Sequence, residues 1–398
     1  MTWSYAVVFA VAFVTTLALT PIVRRVAQRR GALLAPSDRA VHEQPLPNVG
    51  GLAMLAGVLT GLGAAALLGD FDDVFASSSV PVGVVIGAVV ICATGLIDDV
   101  RKIHREGVSA PAKLAGMVLA GSVLSLAGVS TIFFRVPFLG IFSLTPDLSA
   151  FITVLWVAGM ANAINLVDGL DGLAAGITAI AAGSFFVYVV RLDHVGVLVP
   201  GNIGPLLALI TAAVCLAFLP YNFHPSKIIM GDSGALLLGL LMAASTISVG
   251  GSTDTSFSGQ SFFFFAPLFI PLVILGVPMI DTMFAIVRRA SRRAGVATAD
   301  KAHLHHRLMR LGHGQRRSVL ILWGWTALLS GLVLYPTYTG RGDAIVPLGI
   351  AGLGLALYTV FHPGARQARQ NGEDKREPGS PDGTGAAPAP LAGAKAHH

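Results

Sequence analysis

About eleven windows of roughly 20 mainly apolar residues run through this chain, and no other feature restricts its fold so strongly. They cover approximately 3–20, 50–68, 80–97, 113–127, 149–164, 170–190, 204–219, 234–249, 262–287, 318–335 and 344–361. A stretch of this kind crosses a hydrocarbon layer as a helix, because a helix satisfies its backbone N–H and C=O groups within one segment. Composition agrees: 54% of the 398 residues are hydrophobic and 12% are charged. A soluble domain carries about twice that share of charge. The sequence therefore predicts an all-α polytopic integral membrane protein over 1–361, with about eleven transmembrane helices. Segment 131–144, "TIFFRVPFLGIFSL", is apolar but short and interrupted by Pro137 and Gly140. It predicts a hairpin or interfacial piece outside the membrane. Residues 362–398, rich in Gly, Pro, Ala and charge, read as a disordered cytoplasmic tail. No internal repeat is evident.

Charge placement sets the orientation. No basic residue precedes the first window, whereas Arg24, Arg25, Arg29 and Arg30 follow it. This puts the N-terminus outside and argues against a cleaved signal peptide, which carries its positive charge in front. Alternate loops agree. Arg101, Lys102, Arg105 and Lys113, then Lys227, then the basic stretch Arg288–Arg317 and the tail fall on one side. Of the 27 Lys and Arg, only Arg135, Arg191 and Arg341 fall on the other. The rich side is cytoplasmic, so the C-terminus lies in the cytoplasm of a multi-pass plasma-membrane protein. The same bias explains the net charge of +6 without nucleic acid. Cys92 and Cys215 both sit in apolar windows, which excludes a disulfide framework and a cysteine metal site.

The acids collect on that cytoplasmic side too. "NAINLVDGLDGLAAG" holds Asn162, Asn165, Asp168 and Asp171 at a membrane edge. Asp98 and Asp99 end the third window in "GLIDDVRK", Asp232 opens the eighth in "GDSGALLLG", and Asp281 lies near the end of the ninth. "HEQPLPNVGGLAM" brings Pro45, Pro47, Gly50 and Gly51 to the second, and "DKAHLHHRLMRLGHGQRR" carries His303, His305, His306 and Arg307. Carboxylates at membrane depth are costly and mark function. Asp98, Asp99 and Asp232 are hard oxygen ligands suited to Mg²⁺ or Mn²⁺, and Asn165 can add a neutral oxygen. Magnesium completes its shell with substrate phosphate oxygens, and a His/Arg loop suits an anionic diphosphate. Gly234 permits close backbone approach, and the start of the eighth helix offers free N–H groups to an anion. Together these parts specify phosphoryl transfer at a membrane surface.

Each part also has a duller reading. A single Asp-Asp pair at a helix end is usually solvated charge. "GDSG" is the nucleophile motif of serine proteases, but here it leads into an apolar window with no triad partners. The histidine cluster lacks the cysteines and the His-Glu helical pattern of zinc sites. The Asn/Asp/Gly and "PLPNVGG" stretches could be turns alone. Asp281 could simply pair with Arg288 or Arg289. A secondary transporter would show as many spans, but with acids near the midplane and repeats between its halves. That all these stretches face one side weakens the duller readings jointly.

In order, "PLPNVGGLAM", "GLIDDV", "NAINLVDGLDGLAAG", "GDSGALLLG", "PMIDTMFAIVRR" and "DKAHLHHRL" resemble the signatures of the polyprenyl-phosphate N-acetylhexosamine-1-phosphate transferases, the glycosyltransferase 4 or MraY-like superfamily. The resemblance covers about 42–320, and "AHLHHRL" resembles the WecA/TagO-type branch. It implies an MraY-like fold, a cytoplasmic active site and Mg²⁺-dependent transfer of GlcNAc-1-phosphate from UDP-GlcNAc to an undecaprenyl or decaprenyl phosphate. Such a reaction would begin a cell-envelope glycopolymer. By matching position, Asp98 and Asp99 are the paired catalytic carboxylates, while Asn165 and Asp232 resemble metal-binding positions, Asp232 being catalytic as well. Asp171 resembles the residue that reads uracil. His303, His305, His306 and Arg307 resemble the sugar and diphosphate contacts, with Asn162 and Asp168 on the substrate side. Lys113 resembles a phosphate-holding lysine, at a longer spacing from Asp99 than the family shows. Where the family often has an aromatic residue to stack on uracil, this chain has Ile229. A homodimer is compatible with the family.

Overall fold

The structure is a computed structural model. It describes residues 2–35, 44–76, 79–103, 107–130, 133–136, 140–196, 198–250, 308–309, 313–339 and 345–361. Helix α1 (Thr2–Arg29) continues past its apolar window to take in Arg24, Arg25 and Arg29. A short ladder follows, in which β1 (Leu33–Leu34) pairs antiparallel with β2 (Leu46–Pro47). Helix α2 (Gly51–Ala66) then breaks, and the chain turns by 95° through a 3₁₀ turn, Gly69–Phe71, into α3 (Asp72–Ala76). The break falls where acids enter the sequence. Asp72 and Asp73 occupy the first turn of α3, where the helix dipole favours negative charge, and Ser4 Oγ donates to Asp70 Oδ2 at 2.5 Å.

Helices α4 (Val80–Ile103) and α5 (Ala110–Leu126) form the next pair. The apolar segment after them is a hairpin, β3 (Phe133–Val136) paired antiparallel with β4 (Gly140–Ser143), as the interrupted sequence predicts. Helix α6 (Pro146–Val167) starts cleanly because Pro146 fits the first helical position and Thr145 Oγ1 accepts from Leu148 N at 3.4 Å. Then come α7 (Leu173–His194), α8 (Gly204–Asn222), α9 (Gly231–Gly250), α10 (Gly314–Thr339) and α11 (Ile345–Phe361).

Seven described helices, α1, α4, α6, α7, α8, α9 and α10, are long and apolar enough to cross a membrane; counting the bent α2–α3 pair makes eight. Helices α5 and α11 are shorter. The ninth window, 262–287, Asp281 and the tail 362–398 lie outside the described residues. Exposed apolar residues cover the flank of the bundle, among them Ile86 and Val89 on α4, Val118 and Leu119 on α5, and Phe151 and Leu155 on α6. A surface of that size belongs in lipid. The protein is a polytopic membrane protein.

Helix α9 is the axis. It packs against α2, α4, α6 and α8, and Leu236, Leu237, Leu240 and Leu241 are fully buried. Lipid tails are as apolar as leucine, so close backbone packing, rather than water exclusion, holds such helices together. At Gly239 a Cβ would fall 2.3 Å from the Cα of Ala161 on α6. This contact brings the far end of α6, with Asn165, alongside the first turns of α9. One end of the bundle thereby gathers the end of α4, the start of α9, the α6–α7 turn, the α8–α9 loop, the β2 loop and the start of α10.

Candidate active site

Asp98 and Asp99 are neighbours on α4, so their side chains leave the helix about 100° apart. They meet different partners. Asp98 Oδ2 accepts from Lys102 Nζ and from Lys113 Nζ, each at 2.8 Å, and Asp98 Oδ1 accepts from Val108 N at 2.7 Å. Lys102 is one helical turn on, the spacing that pairs opposite charges on one face. Lys102 Nζ also reaches Asp232 Oδ1 at 2.6 Å, and Lys113 Nζ donates to Asp232 Oδ2. Two ammonium groups thus sit between two carboxylates. The carboxylate side chains are nearly buried, 1% and 10% exposed, while those of Lys102 and Lys113 are 35% and 20% exposed. The cations are the more exposed half of the cluster.

Asp99 is fully buried and faces α9. Its Oδ1 accepts from Asn48 Nδ2 at 3.0 Å and from Asp232 N at 2.8 Å; its Oδ2 accepts from Ser233 N at 2.9 Å. It therefore caps the start of α9 from another helix, satisfying backbone donors that no residue within α9 can satisfy. Two glycines make room. Gly231 holds φ +73°, and a Cβ there would lie 2.5 Å from Asp99 Oδ2. A Cβ at Gly95 would lie 2.4 Å from Ser233 N. The β2 loop closes the other side: Ile229 N donates to Pro47 O at 2.9 Å, Gly50 N to Ile229 O at 3.1 Å and Gly51 N to Met230 O at 3.0 Å.

The α6–α7 turn forms a second cluster. Gly172 takes φ +77°, and its N–H donates to Asn222 Oδ1 at 3.1 Å, while Asn222 Nδ2 donates to Ile228 O at 3.1 Å. Asp171 Oδ2 accepts from His224 Nδ1 at 2.8 Å and from Ser226 N at 3.2 Å. Asp168 lies between the clusters. Burial pushes its carboxyl up to about 7, and the negative charges of Asp232, Asp99 and Asp171 push the same way. Its carboxylate makes no hydrogen bond among the described residues, and the turn is held by Asn222.

Of the residues expected from sequence, Asp98, Asp99, Lys113 and Asp232 come together directly. Asp171 and Asp168 flank them. Asn165 is half-buried on α6, and Asn162, one turn earlier, is exposed. No hydrogen bond among the described residues joins either to the acids. His303, His305, His306 and Arg307 lie outside the described residues. Sequence reading missed Lys102 as a site residue and passed over Asn48, Asn222, His224 and Ser226. Asn48 was within reach, since it stands in "PLPNVGG", a stretch singled out for its prolines and glycines.

Residues 81–250 match the family model described as glycosyl transferase family 4. A decaprenyl-phosphate N-acetylglucosaminephosphotransferase of Mycolicibacterium smegmatis is 37% identical over 89% of this chain and 88% of its own length. The chain belongs to glycosyl transferase family 4. A "probable undecaprenyl-phosphate N-acetylglucosaminyl 1-phosphate transferase" of Bacillus subtilis is 36% identical, over 82% of this chain and 84% of its own. A phospho-N-acetylmuramoyl-pentapeptide-transferase of Mycobacterium ulcerans is 28% identical over 81% and 94%. The glycosyl transferase family 4 match takes in Asp98, Asp99, Lys113, Asn165, Asp168, Asp171 and Asp232, which are the acids, amide and lysine gathered at one end of the bundle.

Among the described residues no three His, Cys, Asp or Glu side chains form a metal cage. That is compatible with magnesium, which commonly takes one or two carboxylates and completes its octahedron with waters and substrate phosphate oxygens. Asp98 and Asp232 supply such a pair, and the ammonium groups they share show that both face one cationic position. The donor set fits the ion.

Proposed function

We propose that this protein transfers GlcNAc-1-phosphate from UDP-GlcNAc to a polyprenyl phosphate, giving polyprenyl-diphospho-GlcNAc and UMP. The carrying observation is the pair of carboxylates bridged by two partly exposed lysines at the end of a membrane bundle. The kinship with transferases of that name supports the choice of sugar and lipid.

A phosphate oxygen of the lipid attacks the β-phosphorus of the sugar nucleotide, the β-phosphorus–oxygen bond to UMP breaks, and UMP leaves. A phosphate monoester is largely a dianion at neutral pH, so it needs little help from a base. Bringing two anions together is harder. Lys102 and Lys113 make that approach possible, because each turns an ammonium from carboxylate to phosphate as substrate arrives. Asp98 and Asp232, once released from the lysines, would hold Mg²⁺. When bound, the ion would supply positive charge against the diphosphate and the leaving UMP. Asp98 can also accept the last proton of the lipid phosphate. Asp99 is less available for this, because it is buried and already accepts from backbone and amide donors; it positions Asp232. Asp171 accepts the imide N–H of uracil, and Asn165, on α6, would add a neutral oxygen to the ion. The proposed direct attack needs no covalent enzyme intermediate.

The test is UMP release from UDP-GlcNAc with decaprenyl or undecaprenyl phosphate in detergent. No UMP release with either lipid would refute the reading, and so would release of a different nucleotide product from another sugar nucleotide alone. We further propose eleven spans, the N-terminus outside and the site facing the cytoplasm, on the Lys/Arg bias. Engineered cysteines at 75 and 380 check this, since Cys92 and Cys215 are buried and give little background. An impermeant reagent should label 75 in intact cells; labelling of 380 would overturn the topology.

A further inference from the structure

The hook that holds Asp171 is built from a different part of the chain than the turn that carries it. His224 and Ser226 come from the α8–α9 loop, and both donate to the same oxygen, Oδ2. The other oxygen, Oδ1, makes no hydrogen bond among the described residues. A carboxylate with one oxygen tied twice and the other untied cannot rotate freely. It presents one acceptor in a fixed direction.

The loop is itself held from behind. Arg316, in the first turn of α10, donates from Nε to the carbonyl oxygen of His224 at 3.1 Å. The ring of Trp323, two turns further along α10, packs on Phe223 with ring centres 5.6 Å apart. Trp323 fits there because Gly176 lacks a side chain; a Cβ at Gly176 would fall 1.9 Å from Trp323 Cε2. Phe223 in turn lies against Gly172, where a Cβ would meet its Cα at 3.2 Å. So the backbone of His224 is fixed by α10, its ring fixes Asp171, and the turn at Gly172 is backed by Phe223. Nothing in the transfer chemistry at Asp98 and Asp232 requires this construction.

A pyrimidine edge supplies the reason for it. Uracil presents an N–H at N3 between two carbonyls, so a fixed carboxylate oxygen matches it. Cytosine presents a lone pair at N3, which a carboxylate repels. Discrimination of this kind depends on the acceptor not swinging away, since a mobile carboxylate could turn aside or accept from the cytosine amino group instead. We infer that His224 is a positioning residue for base recognition, which locks one oxygen of Asp171 so that the other selects uridine over cytidine nucleotides. This rests on the reading of Asp171 as the acceptor for the base, and the experiment separates the two.

The full-length enzyme in detergent is assayed for UMP release, and UDP and CDP are compared as inhibitors. His224→Phe keeps the ring without its donor. His224→Asn keeps a donor near the place of Nδ1. Asp171→Ala removes the acceptor. We expect Asp171→Ala to abolish the preference for UDP over CDP. His224→Phe should cut that preference about tenfold and raise the KM for UDP-GlcNAc, with kcat within about twofold, as befits one hydrogen bond to a charged group. His224→Asn should restore most of the preference. The double variant Asp171→Ala/His224→Phe should match Asp171→Ala alone, because the ring acts only through the carboxylate. If Asp171→Ala removes the preference while His224→Phe leaves it intact, the inference fails and the reading of Asp171 stands. A preference untouched by Asp171→Ala overturns both. A loss in His224→Phe that Asn does not rescue, or that adds to that of Asp171→Ala, means that the ring merely supports the loop, and also overturns it.

Discussion

The α4–α9 junction and the α6–α7 turn each fix an aspartate at the same end of the bundle, but by opposite means. At the junction, Asp98 and Asp232 share lysine ammonium groups on long stems, partly open to solvent, and one backbone N–H, that of Val108, ties the other oxygen of Asp98. At the turn, Asp171 is held by a histidine ring and a backbone N–H. The first kind of partner can leave when a phosphate competes for it. The second cannot leave without moving a loop. The proposed ligand-exchanging chemistry therefore suits the junction, and the proposed recognition by a stationary acceptor suits the turn. Asp99 shows that the difference lies in the partners and not in the residue type. It adjoins Asp98 in sequence, yet it is gripped by backbone and amide donors and behaves like the turn.

The largest effect expected is at Asp232. Asp232→Asn swaps the anionic side chain proposed to hold Mg²⁺ for a neutral one and leaves two ammonium groups facing Asp98 alone. Turnover should fall by about 10²–10³-fold or more, and the Mg²⁺ requirement should rise. Steady-state assays over a range of Mg²⁺ concentrations measure both. Near-normal turnover with an unchanged Mg²⁺ optimum would erase the distinction between the two regions.

The adjacent pair gives a sharper comparison. Asp98→Asn should abolish most activity while leaving the melting temperature close to that of the parent, since Lys102 and Lys113 still find Asp232. Asp99→Asn turns an NH₂ group toward donors already present, so at least one buried donor loses its acceptor. That loss costs about 1–3 kcal/mol. The Asp99→Asn protein should therefore melt several degrees below the Asp98→Asn protein when both are unfolded thermally in the same detergent. Equal melting temperatures would show that Asp99 does not cap α9.

Much of this was legible in the sequence, for reasons that also mark the limit. A span announces itself locally, because about 20 apolar residues in a row have one physical outcome. Hence α1, α4, α6, α7, α8, α9 and α10 fall in predicted windows, and the interrupted stretch at 131–144 becomes a hairpin. The second window predicts one span over 50–68, whereas the helix stops at Ala66 and bends; the acids just past the window favour a new helix start. Candidate acids were legible because a carboxylate beside an apolar run is conspicuous. Their partners were not. Asn48 and Asp99 are 51 residues apart, and Asp171 and His224 are 53 apart. No local pattern joins such residues. Lys102 carries a charge that orients the chain in the membrane, and that reading hid its ion pairs.

The smallest effect expected is at Asp168, which lies between the two regions and feels both. Its folded-state pKa of about 7 stands well above the ordinary carboxylate range, because burial and the charges of Asp232, Asp99 and Asp171 disfavour ionisation. A carboxyl raised in the folded state binds its proton more tightly there than in the unfolded chain. Stability therefore falls as pH climbs from the ordinary carboxylate range to about 7, and the full penalty applies above that. Asp168→Asn carries no charge to ionise. It should melt above the parent at pH 8, by roughly 1–3 °C, and the gap should close as the pH is lowered toward 5. Thermal unfolding of both proteins across that range measures the gap directly. A gap that is the same at every pH would mean that Asp168 is not held between the two clusters. A gap of opposite sign, with the parent more stable at pH 8, would mean that its ionised form has a cationic partner, and the junction and the turn would then be one charge network rather than two.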